Sequence, residues 1–72
     1  MPYTKEDLDQ ANQHVADVEK LIETQRARIE ELRHEGHSTD KANELLIILL
    51  ETRHQLLRHR ELIARELDIP RK

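Results

Sequence analysis

The chain has 72 residues, of which 38% are charged and 36% hydrophobic, with a formal net charge of -3 and one aromatic residue, Tyr3. That length supports one small domain, and the acidic balance argues against a general nucleic-acid binder. The absence of cysteine excludes disulfides and thiolate metal sites.

The first ten residues, MPYTKEDLDQ, are polar and lack the apolar stretch of a signal peptide. The longest apolar run covers residues 45–50, far too short to span a bilayer. The expectation is a cytoplasmic protein with no membrane partner.

Thr4 has the character of a helix N-cap, with Asp7 at the capping-box spacing. Glu6, Asp7 and Asp9 suit the positive end of a helix, and Pro2 lies outside it. The first predicted helix runs from about residue 5 to 35. Leu8, Ala11, Val15, Val18, Ile22, Gln25, Ile29 and Leu32 repeat in an unbroken 3-4 alternation, the pattern of a coiled-coil seam. Apart from Ala16, Leu21 and Ala27, the rest of this segment is polar, so the helix has one narrow apolar stripe.

Gly36 is the only glycine and suits the left-handed residue that ends a helix. Ser38, Thr39 and Asp40 are all N-cap types, and Thr39 is the expected cap. The predicted turn spans 36–39, the second helix about 40–67, and a short tail 68–72. Ile69-Pro70 stops the second helix, because the residue before proline disfavours the helical conformation.

The second helix is apolar over more of its circumference. One seam reads Ala42, Leu45, Leu49, Thr52, Leu56, His59, Ile63. A second, about 100° round, reads Leu46, Leu50, Arg53, Leu57, Arg60, Ala64, Leu67. Ile48 and Leu62 widen the arc further. A helix this apolar expects more than one neighbour.

The short turn forces antiparallel packing. Facing residues then have numbers that sum to about 74, so Ala11 meets Ile63 and Ile22 meets Thr52. Charge agrees with this orientation. Residues 5–23 hold six acids and two lysines, whereas residues 53–65 hold four arginines and one acid. Gln25 and Thr52, polar positions within apolar seams, are expected to fix register.

The fold class is therefore all-α: an antiparallel two-helix coiled-coil hairpin. One seam buries too little apolar surface to offset the conformational entropy of a chain this small. The hairpin is expected to associate with itself, as a homodimer forming a four-helix bundle. The oligomer interface assigned from sequence is Leu46, Leu50, Arg53, Leu57, Arg60, Ala64 and Leu67. A hetero-partner helix on the same face is the competing arrangement.

Five histidines are many for this length. His34 and His37 flank Gly36, but no third metal ligand accompanies them, and metal sites need three or four. His59, beside His14, suggests a proton-responsive layer or an imidazole satisfied at a seam edge. His54 lies on a polar strip and matches no phospho-accepting signature. The basic stretch Arg53-His54-Gln55-Leu56-Leu57-Arg58-His59-Arg60 lies beside the acidic half of the first helix and lacks stacking aromatics. Arg53 and Arg60 have two readings, a phosphate-binding pair or arginines that reach acids on a partner subunit. No glycine-rich phosphate loop, activated nucleophile or paired carboxylate occurs. The expectation is a non-enzymatic chain with no catalytic residues, no metal and no cofactor.

Ile29-Glu30-Glu31-Leu32, Gly36-His37-Ser38-Thr39, Ala42, Leu45-Leu46 and His59-Arg60-Glu61-Leu62-Ile63 together resemble a group of short uncharacterised bacterial helical-hairpin proteins with a Gly-His-x-Thr turn. The resemblance covers about residues 15–67. It implies the hairpin and a bacterial origin, and it implies no activity. In size and shape the chain is also similar to the two-helix aspartyl-phosphate phosphatases of sporulation signalling. Their Ser-Gln-Glu-Leu-Asp motif is missing; Ala42-Asn43-Glu44-Leu45-Leu46 is the nearest text and lacks the terminal acid. Two functional expectations follow. The first is a homo-oligomeric interaction or regulatory module. The second is a small signalling regulator that binds or dephosphorylates a protein partner through the second helix.

Overall fold

The structure, a computed structural model, describes residues 3–67. Two helices, α1 (Lys5–His34) and α2 (Asp40–Glu66), pack against each other as an antiparallel hairpin. The body measures 51 × 19 × 14 Å, close to the length of a 30-residue helix at 1.5 Å per residue. The readings of Pro2, of the Ile69-Pro70 stop and of the 68–72 tail lie outside the described residues.

The caps explain where the helices begin and turn. The Thr4 hydroxyl accepts from the Asp7 amide at 3.2 Å, and the Asp7 carboxylate accepts from the Thr4 amide at 2.9 Å. This reciprocal box satisfies two donors that the first helical turn leaves free. At the other end, the Gly36 amide donates to the Arg33 carbonyl at 3.1 Å and the His37 amide to the Leu32 carbonyl at 2.9 Å. That pair of bonds is a Schellman motif, and it places Gly36 at φ 77. A Cβ at Gly36 would meet nothing within 4 Å, so the glycine is required by its backbone conformation and not by space.

Thr39 stands at the N-cap of α2, but its hydroxyl makes no capping bond to the backbone. It accepts from the Asn43 side-chain amide at 3.1 Å, and the neighbouring Ser38 hydroxyl accepts from the Asp40 amide at 3.3 Å. Of the three consecutive N-cap residue types, Ser38 is the one whose side chain accepts a backbone amide at the start of α2.

The seam of α1 follows the sequence pattern. Ala11, Val15, Val18, Ile22 and Ile29 are buried, and Leu8, Gln25 and Leu32 are half-buried. The seam of α2 differs from expectation. Leu45, Thr52 and His59 are exposed, and the half-buried or buried positions facing α1 include Ala42, Leu46, Leu49, Arg53, Leu56, Arg60, Ile63 and Leu67. The helix is rotated so that its inner face falls between the two expected seams. The Leu45–Thr52–His59 column holds two polar members with little to gain from burial. In the Leu46–Arg53–Arg60–Leu67 column, the long arginine stems can lie along apolar surface while their charged heads reach out.

The register near a sum of 74 is retained. Ala11 and Ile63 line one cleft, and Ile22 and Arg53 line another. Gln25 bridges the two helices, its side-chain amide donating to the Ala42 carbonyl of α2 at 2.9 Å. Thr52 does not. Its hydroxyl donates to the Ile48 carbonyl one turn back, at 2.9 Å, which keeps it within its own helix.

Candidate functional site

Two lateral faces flank the seam, and they differ in chemistry. On one, the Arg60 guanidinium donates to the Asn12 side-chain oxygen at 3.4 Å. On the same side, Arg53 shares a depression of about 240 Å³ with Glu19, Ile22, Glu23 and Arg26. The α1 side of this face is polar and the arginines of α2 point toward it, with half-buried Leu50 and Leu57 beside them on α2. The acid-rich half of α1 and the arginine-rich half of α2 meet here, in the orientation that charge predicted.

The opposite lateral face begins at Tyr3, whose ring meets His59 edge to face with centroids 5.8 Å apart and planes at 85°, a favourable aromatic geometry. Tyr3 and His59 line a cleft of about 90 Å³ with Asp7, Gln10, Ala11, His14 and Ile63. His14 and His59 are thus brought to the same place, as the sequence suggested, and both are exposed. Seven-residue steps along each helix return to the same side. Leu21 therefore lies on the face of His14, and Thr52 and Leu45 lie on the face of His59. Ile48 and Leu62, three residues beyond Leu45 and His59, continue it outward on α2.

That second face carries most of the exposed apolar surface. Leu21 is 55% exposed, Ile48 56%, and Leu45 and Leu62 45% each. Ile47, at 57%, lies beyond a ridge of charge on the outside of α2. The ridge consists of Glu44, Glu51, Arg58 and Arg65, spaced seven apart and all exposed. Two shallow depressions run along the outer side of α2. One, of about 500 Å³, is lined by residues including Ile47, Leu50 and Glu51. The other, of about 480 Å³, is lined by residues including Leu57, Arg58 and Leu62. They join at His54, which lines both.

The seven residues assigned from sequence to the oligomer interface are all half-buried in the hairpin. Arg53 and Arg60 engage α1 as described above, and Leu50, Leu57 and Ala64 flank them. Sequence reasoning missed the column of Leu45, Ile48, Thr52, Gln55, His59 and Leu62 as a surface. Its 3-4 alternation is legible in the chain, but the sequence pattern places Leu45, Thr52 and His59 in the interior, whereas they are exposed.

The remaining histidines are exposed. His37 places Nε2 3.7 Å from a Glu35 carboxylate oxygen, and His34 stands in the last turn of α1, where its dipole favours a cation. Among the described residues, no three histidine or carboxylate side chains converge as metal ligands. No described helix is long and apolar enough to cross a membrane.

Comparisons of the chain with protein-family models, with curated proteins and with solved structures return no match.

Proposed function

We propose that this protein is a non-enzymatic, cytoplasmic, homo-oligomeric helical module that acts through protein–protein interaction, with α2 as the element that associates. One observation carries the reading. Four of the five large apolar side chains left exposed by the hairpin, Leu45, Ile47, Ile48 and Leu62, belong to α2. An amphipathic helix with apolar surface outside its own seam gains free energy by covering it. The outer side of α1, which is polar and largely acidic, is then left to face other partners.

Size-exclusion chromatography with light scattering tests the proposal across a concentration series. The expected result is a species of twice the 8.6 kDa chain mass that dissociates on dilution. A folded 8.6 kDa monomer at every concentration would overturn it.

A further inference from the structure

The faces of α2 are not equally suited to a second copy of the chain. We propose that the partner is a second copy docked on the Leu45–Ile48–Leu62 face, with the two α2 helices antiparallel and residues whose numbers sum to 107 in the same layer. This inference rests on the homo-oligomer reading above and specifies the face, orientation and register of the contact.

Two observations point to the same register. The first is apolar matching. Along this face the 3-4 column is Leu45, Ile48, Thr52, Gln55, His59, Leu62, and antiparallel helices of such a column meet in alternating layers. A sum of 107 pairs Leu45 with Leu62 of the second copy and Ile48 with its His59. Thr52 meets Gln55 beside the two-fold axis. Among the described residues, slipping by one heptad to sums of 100 or 114 leaves no layer with two large apolar residues. At 107 the exposed leucines form both outer layers, and Leu21, level with Thr52, extends the apolar surface at the centre.

The second observation is charge. Glu44, Glu51, Arg58 and Arg65 border this face as a single column, acidic in the N-terminal half and basic in the C-terminal half. No ion pair within the hairpin engages any of the four among the described residues. In antiparallel helices the bordering column pairs with its own counterpart across the interface. In the register fixed by the apolar layers, Glu51 faces Arg58 and Glu44 faces Arg65, and two-fold symmetry makes each pair twice. Slipped one way, Glu51 faces Glu51; slipped the other way, Arg58 faces Arg58. A parallel arrangement puts the two ridge columns on opposite sides of the contact and makes none of these pairs. The opposite lateral face has no comparable self-complementarity, because Arg53 and Arg60 are already turned to α1. Ile47, beyond the ridge, stays outside this contact.

Charge swapping tests the pairing. In Glu51→Arg alone, arginine meets arginine across the interface. In Arg58→Glu alone, glutamate meets glutamate. Each variant is expected to weaken dimerisation by about tenfold or more, since like charges at paired positions repel. An equimolar mixture of the two restores both pairs and is expected to recover dimers at the wild-type concentration. Sedimentation velocity reads the assembly, and far-UV circular dichroism checks that each variant stays helical. An independent readout uses the absence of native cysteine. Thr52→Cys chains mixed with Gln55→Cys chains are expected to form a disulfide-linked pair under mild oxidation.

If the wild-type chain is monomeric throughout, the homo-oligomer reading itself fails. If it is dimeric but neither charge variant weakens it, and Leu50→Glu or Leu57→Glu does, the oligomer stands and the proposed face is overturned in favour of the opposite flank. If the single variants weaken the dimer and their mixture does not recover it, the register is overturned.

Discussion

The two helices differ in how they dispose of their apolar residues. Helix α1 has a narrow stripe and buries five of its members. Helix α2 has a wide arc, fully buries only Ile63, and leaves four large apolar side chains exposed. A narrow stripe is satisfied by one neighbour; a wide arc is not. The hairpin therefore covers most of the apolar stripe of α1 and leaves much of the apolar arc of α2 exposed.

Substitutions can break or sharpen this contrast. The largest expected effect is in the α1 seam, where Val18→Asp puts an unpaired carboxylate at a buried site. It should cost about 4 kcal/mol or more and abolish cooperative thermal unfolding followed by circular dichroism. Ile63→Ala tests the one deeply buried position of α2, 1% exposed, and should cost about 2 to 4 kcal/mol in urea melts at fixed protein concentration. Gly36→Ala forces a β-carbon into a backbone at φ 77 and should cost about 1 to 2 kcal/mol in the same melts. Thr4→Ala removes the hydroxyl of the capping box and should cost about 1 kcal/mol, with faster amide exchange confined to the first turn of α1. The smallest effect is expected at Ile47→Ser, which lies outside both the seam and the proposed dimer contact. Its unfolding free energy should stay within about 0.5 kcal/mol of wild type in the same melts. A larger loss there would mean that this side of α2 is covered too.

Much of the hairpin is legible in local chemistry. The Thr4 box, the Gly36 turn and the α1 seam each depend on residues within a few positions of one another or on a strict repeat. The seam of α2 was misassigned because its apolar residues occupy several adjacent columns, and periodicity alone cannot choose among them. Arg53 and Arg60 illustrate the difficulty. As charged residues they look like surface groups, but their aliphatic stems allow them to face α1. Thr52 and His59 were placed inside because they complete a column, and both lie outside.

The sequence by itself determined two helices, the start of α1, the turn at Gly36, their antiparallel pairing and their register near a sum of 74. Those features follow from repeat spacing, cap chemistry and the one residue free to adopt a positive φ. Only the tertiary structure decided how α2 is rotated about its own axis. That rotation reflects competition among several columns for one narrow stripe, settled by packing and by where the arginine heads can reach. It turned Leu45, Ile48 and Leu62 outward beside the charge ridge, and so decided which apolar surface the hairpin leaves exposed.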